Sequence, residues 1–232
     1  SATYADVEET FAQTRLTRAA QAGEISGYDG GFVNYLHLGI RLDERDFEPN
    51  PKTGYLAEYN LSVSGKFLGS QYNFVRQTMS ARGYYTFWDR LTVAGRLALT
   101  YSSGDAPFFE MGKMSFMRGD VASMGGIRTG RGYLESRFLA RGHTLAQIDV
   151  RYFIGDFVIL GQRFGFQPFA FFDAGNLYDS FGDIFTEPRF GEYHPSYGGG
   201  LVIPWNLTTI LHYFVGFSPE GMSLSIGFEH AF

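Results

Sequence analysis

MSLSIGFEHAF, residues 222–232, alternates almost without a break. Met222, Leu224, Ile226, Phe228, His230 and Phe232 share one parity, and Ser223, Ser225, Gly227, Glu229 and Ala231 share the other. Side chains on a strand alternate between its two faces, so this stretch predicts a strand with one apolar face and one small or polar face. The pattern is expected of a transmembrane β-barrel strand, apolar toward lipid and polar toward the lumen. Phe228 and Phe232 read as an aromatic carboxy-terminal barrel signal.

The same alternation recurs upstream in Val33–Asp43, Tyr55–Phe67, Tyr72–Phe87, Leu91–Tyr101, Leu145–Gly155, Phe166–Gly175, Tyr197–Trp205 and Thr209–Phe217. With the last stretch this predicts nine antiparallel strands, or ten if part of residues 1–30 is extended. Several are longer than the ~5–6 residues usual in soluble sheets. Arg41, Glu58, Lys66, Arg76, Arg82, Arg96, Asp149, Arg151, Asp173 and Glu229 all fall on the polar parity. Lipid around the barrel and water inside it account for both features. A lipocalin-like soluble barrel with an apolar interior is the competing arrangement. Trp88 and Trp205, at or near strand ends, are expected to be interface anchors.

Composition narrows the function. The 232 residues include 24 Phe, 15 Tyr and 30 Gly, a mixture suited to strands and aromatic belts. A net charge of −5 argues against a nucleic-acid partner. Mean hydropathy is −0.13, and no apolar run reaches the ~18 residues of a membrane helix. A β-barrel escapes that test because only alternate residues face lipid. Cysteine is absent, which suits an oxidising compartment. The chain begins at Ser1 without a signal-peptide pattern, as expected of a processed product or the carboxy-terminal part of a longer protein.

Two regions break the rhythm. Residues 1–30 read as an amino-terminal extension or loop, with Val7–Ala22 suited to a short helix. Residues 31–232 read as the barrel, and Ser102–Gly142 interrupts it with about 40 residues lacking alternation, a length that is usually either functional or disordered. No enzyme is indicated. The five histidines have no metal-ligand spacing, Ser102-Ser103-Gly104-Asp105 reads as a turn, and GxSxG, P-loop and HExxH patterns are absent. No cofactor or metal is expected.

Three pieces occur in order: Asp43-Glu44-Arg45-Asp46 in a Pro- and Gly-rich turn; Gly125-Gly126-Ile127 followed by Arg131-Gly132-Tyr133 inside the insert; and Phe171-Phe172-Asp173-Ala174-Gly175 on a strand. In this order, over about residues 32–232, the chain resembles the carboxy-terminal barrel of the Omp85 superfamily, also called the bacterial surface antigen family. The resemblance implies an antiparallel outer-membrane β-barrel with a long loop folded into its lumen. It implies that Arg131, Gly132 and Tyr133 form the loop tip, and that Arg131 pairs with acidic residues at Asp149 and Asp173. Alternation separately places Asp149 with Gln147 and Arg151 on the polar face. By residue pattern alone, Arg131 reads more readily as a solvated loop arginine beside Arg128 and Arg137.

Members of that family assemble outer-membrane proteins or translocate partner proteins. The expected setting is therefore the bacterial outer membrane, with lipid and lipopolysaccharide around the barrel and proteins as clients. A passive pore or anchor is the alternative, and an outer-membrane enzyme a more distant one. The family barrel has sixteen strands and this chain offers nine or ten. A missing amino-terminal half, a partner chain, or closure as a small barrel would each complete it, since lipid leaves no room for unpaired backbone.

Overall fold

The computed structural model describes residues 2–5, 18, 22–23, 25–186, 193–206 and 208–232. Thirteen strands fall among them: β1 (Ala2–Ala5), β2 (Gly31–Asp43), β3 (Gly54–Ser64), β4 (Phe74–Phe87), β5 (Leu91–Gly104), β6 (Lys113–Phe116), β7 (Gly119–Ala122), β8 (Gly142–Tyr152), β9 (Gly155–Ile159), β10 (Gln162–Tyr178), β11 (His194–Trp205), β12 (Thr209–Ser218) and β13 (Gly221–Phe228). An 11-stranded antiparallel sheet runs in the order β1-β2-β3-β4-β5-β8-β10-β11-β12-β13, with β9 paired to β10; β6 and β7 form a separate hairpin. The described strands leave β1 and β13 at the two outer edges of an open sheet.

Alternation translates directly into two faces. Leu36, Leu38, Ile40 and Leu42 of β2 are more than half exposed, as are Met222, Leu224, Ile226 and Phe228 of β13. On the opposite face Asn60, Ser62, Arg76, Thr78, Arg96, Asp149, Arg151 and Asp173 are buried. Greasy outside and polar inside is the inverse of a soluble barrel, and it follows when hydrocarbon replaces water as the outer solvent. At one end of the sheet the connections 88–90, 160–161 and 206–208 are short. Trp88 and Trp205 both lie at that end, packed with Phe87 and Phe164 respectively.

Four local expectations are corrected. First, β13 stops at Phe228. Glu229 takes φ +67°, its N–H donates to the Ile210 carbonyl at 2.8 Å, and the chain turns inward. Phe232, grouped with the lipid-facing residues by parity, is 6 % exposed and packs with Tyr84 and Ala94 on the inner face. Second, β5 continues to Gly104, and the insert that follows is structured. It holds the β6–β7 hairpin and one helical turn, Phe108–Met111. Third, β10 is longer than its apolar alternation suggests, because its first residues pair with β9 in an extension beyond Tyr152. Fourth, β3 ends at Ser64, and Lys66 lies in the 3-10 turn that follows.

Within residues 1–30, Ala2–Ala5 pairs with Gly31–Asn34. The helix expected over Val7–Ala22 falls almost wholly outside the described residues. Of it, Ala22 N–H donates to the Arg18 carbonyl at 3.0 Å, one helical bond.

Candidate functional site

The insert enters the lumen from the ends of β5 and β8 and is fixed at its base by a buried ion pair. Arg76 of β4 and Glu110 are both fully buried. Arg76 Nη2 donates to Glu110 Oε2 at 2.8 Å and to the Glu110 carbonyl at 2.6 Å. Nη1 reaches Ser115 Oγ at 3.0 Å and Nε reaches Ser102 Oγ at 3.3 Å. Lys113 Nζ takes the other carboxylate oxygen at 2.6 Å. Below the base, Met114, Phe116 and Met124 of the insert pack on Ala98 and Leu145 of the wall. Neither Arg76 nor Glu110 belongs to a motif, and sequence reasoning missed the pair.

At the far end of the insert the structure brings Arg131, Asp149 and Asp173 together. The backbone N–H of Arg131 donates to Asp173 Oδ2 at 3.0 Å, Nε to the same oxygen at 2.9 Å, and Nη2 to Asp173 Oδ1 at 2.6 Å. Nη2 also reaches Asp149 Oδ1 at 2.7 Å. Strand register explains the convergence. Asp149 on β8 stands opposite Phe171 on β10, and Asp173 stands opposite Gln147, so the two carboxylates are diagonal neighbours on one face. Arg151 Nη2 caps Asp149 Oδ2 at 2.9 Å, and Gln147 Nε2 caps Asp173 Oδ1 at 3.2 Å. Two guanidiniums thus meet two carboxylates in a buried box. Burial opposes the charge on Arg131, but the two carboxylates outweigh it and hold the guanidinium above its ordinary pKa.

Asp173 shares its strand parity with Phe169 and Phe171. All three face inward. Phe171 lies under the charge, with Arg131 Cζ 3.8 Å from its ring centroid, a cation–π contact strengthened by desolvation.

The tip is also held from the last hairpin. Ser223 Oγ of β13 donates to the Arg131 carbonyl at 2.6 Å, and Ser218 Oγ of β12 donates to the Gly132 carbonyl at 2.9 Å. Gly132 lies where a Cβ would stand 2.6 Å from the Phe217 carbonyl. A methyl group on Gly216 would run into the Arg131 carbonyl. Tyr133 OH donates to the Pro195 carbonyl at 3.1 Å, and its ring packs edge-on against Phe138. Ser218, Ser223 and Gly216 belong to none of the motif pieces, and Phe171 belongs to one that assigns it no role. Alternation marks Ser223 as luminal, yet nothing local says which luminal residues the insert meets.

The remaining predicted residues lie elsewhere. Arg45 forms a fork on Asp43, Nε to Oδ1 and Nη2 to Oδ2 at 2.8 Å each. This hydrogen bonding raises the Arg45 pKa above its ordinary value despite partial burial. Asp46 Oδ1 accepts the N–H groups of Lys52 and Thr53 and closes the β2–β3 turn. Gly54, at φ +100°, leaves no space for a side chain against the Glu44 carbonyl. Phe228 faces outward, two-thirds exposed, and Phe232 inward. Among the described residues no group of three or more His, Asp or Glu is placed to hold a metal.

An inward insert, its arginine tip boxed by carboxylates on successive strands, and a lipid-type outer face set the context for comparison with known proteins. A search of curated proteins returned no match. The profile described as Omp85 superfamily domain matches residues 4–209. That span starts upstream of the region where the motifs suggest the resemblance, takes in the insert and both aspartates, and stops at the first residue of β12. It covers most of the 232 residues, and the chain belongs to the Omp85 superfamily, a family of outer-membrane β-barrels.

Proposed function

We propose that this chain is the barrel part of a bacterial outer-membrane protein that inserts other membrane proteins or translocates protein clients. The observation carrying this reading is the link between insert and sheet edge. Ser223 and Ser218 tie the backbone of the tip to β13 and β12, and β13 is an edge strand among the described residues. A position of the insert is thereby coupled to the strand along which an extended client could add by backbone hydrogen bonding. In this reading the long connections face outward and the short turns face the periplasm. Lipid and lipopolysaccharide surround the barrel, and a missing amino-terminal half or another chain completes it. No catalytic role is assigned. A passive pore calls for an open lumen, whereas the β6–β7 hairpin and the boxed tip occupy this one.

The test is client folding in proteoliposomes containing the full-length protein and its natural partners. Insertion of a small outer-membrane barrel at least five times faster than in empty liposomes is expected. Equal rates with and without the protein, together with steady conductance in planar bilayers, would replace this reading with the passive pore.

A further inference from the structure

Among the described residues four arginines are buried in the lumen: Arg76, Arg96, Arg131 and Arg151. Three have carboxylate partners, Glu110 for Arg76, Asp149 and Asp173 for Arg131, and Asp149 for Arg151. Arg96 has none among the described residues. Its Nη1 reaches Gln147 Oε1 at 3.3 Å, and its Nε and Nη2 have no hydrogen-bond partner. A buried guanidinium with two idle donors is costly unless something pairs with it.

The register sharpens the anomaly. Arg82 and Arg96 stand directly opposite each other on β4 and β5, and like charges in that relation repel. Both guanidiniums lie over the same ring, Phe116 of the insert, with Cζ 5.7 Å and 4.9 Å from its centroid. Arg82 Nη2 holds Glu58 at 3.0 Å, but its Nε is also without a partner.

Arg82 and Arg96 line a cavity of about 260 Å³ at the short-turn end of the lumen. Six arginines line it against four side-chain carboxylates. Each arginine other than Arg96 has a carboxylate partner, and each carboxylate is already engaged: Glu58 by Arg82, Glu48 by Arg41, Arg45 and Arg118, Glu229 by Arg128, and Asp120 by the Tyr35 hydroxyl. Arg96 is thus the lining arginine with no carboxylate partner among the described residues. A guanidinium fork matches the oxygens of a phosphate or carboxylate group.

We propose that the opposed Arg82–Arg96 pair, floored by Phe116, is a binding site for a small oxyanion bearing phosphate or carboxylate oxygens. The anion takes the idle donors of Arg96 and Nε of Arg82. It relieves their repulsion and rests against the insert, so occupancy firms the seat of the β6–β7 hairpin. The site is joined to the Arg131 box through Gln147, which accepts from Arg96 and donates to Asp173, but the proposal does not depend on how the barrel handles clients.

The experiment titrates the full-length protein in detergent with inorganic phosphate and, in a second arm, acetate, with ionic strength held constant by sodium chloride. Calorimetry and the thermal midpoint are read. Saturable binding of at least one anion, with a raised midpoint, is expected; the stronger arm identifies the preferred headgroup. Arg96→Gln should weaken it at least tenfold, whereas Arg163→Gln, in the exposed first residues of β10, should leave it within twofold. No saturable binding of either anion, or undiminished binding by Arg96→Gln, would overturn the proposal. If Arg96→Gln does not fold, wild-type protein labelled with 15N-arginine decides: a saturable shift of the Arg96 Nε–H resonance supports the site, and an unmoved resonance removes it.

Discussion

The insert is fastened at its base and at its tip, and the polarity of the fastening is reversed between them. At the base the wall supplies the cation, Arg76, and the insert supplies the carboxylate, Glu110. At the tip the insert supplies Arg131 and the wall supplies Asp149 and Asp173. The two also differ in redundancy. Arg76 spreads its donors over two serines and a backbone carbonyl besides the Glu110 carboxylate. Asp173 draws three of its hydrogen bonds from Arg131, and only Gln147 adds another. Losing one charge at the base leaves a partly satisfied guanidinium, whereas losing the charge at the tip leaves a buried carboxylate nearly alone.

The contrast is broken most sharply by Arg131→Ala. It should destabilise the protein by about 3–5 kcal/mol, the usual consequence of stripping a buried charge of its partner. Reversible unfolding in detergent measures this, and a loss below about 1 kcal/mol would mean that water reaches Asp173. Gly216→Ala should push the tip off its seat at about 1–3 kcal/mol. Proteolysis between residues 123 and 136 should then rise, while Gly83→Ala, where a Cβ meets open space, should behave as wild type. Glu110→Gln should cost about 1–2 kcal/mol, less than the tip substitution, because Arg76 keeps its other acceptors. An equal cost at both sites would erase the asymmetry.

Two smaller effects refine it. Ser223→Ala should cost about 1 kcal/mol and raise hydrogen exchange at β13 more than at β8. His230 donates through Nε2 to Asn50 Oδ1 at 2.9 Å. Burial, then the charges of Arg151, His212 and Arg131, hold its pKa well below the ordinary value. A histidine kept neutral in the fold lends full stability above its unfolded pKa of 6.5 and loses it as pH falls below that value. The thermal midpoint should therefore drop between pH 7.5 and 5.5, and His230→Asn should flatten the drop.

The lipid-facing and luminal sets were legible because the outer solvent imposes a period of two on every spanning strand. Leu36 to Leu42 and Met222 to Phe228 need no tertiary information to be assigned. That rule fails where the backbone departs from a strand without changing the pattern. Glu229 turns at positive φ, yet His230 and Phe232 continue the apolar parity, so the inward fold of Phe232 left no trace in residue order. Lys66 keeps strand parity inside a 3-10 turn in the same way. The base pair was hidden because Glu110 lies in a Phe- and Met-rich run with no period. At the tip, the pairing of Arg131 with its aspartates could be proposed only through the family resemblance; parity put Asp149 and Ser223 on the polar face but did not say that the insert meets them. Contacts between an irregular insert and a regular wall depend on where the insert lands, and no local pattern encodes that.

The bend at Glu229 also acts as a ruler. It removes the backbone beyond Phe228 from the rim of the sheet and leaves Gly221–Phe228 as the stretch that a newcomer can lie against. At roughly 3.4 Å per residue that is about 27 Å of hydrogen-bonding margin, close to the height of the apolar belt around such barrels. If clients add to β13 as proposed, this margin would match the length of the added strand to the thickness of the membrane.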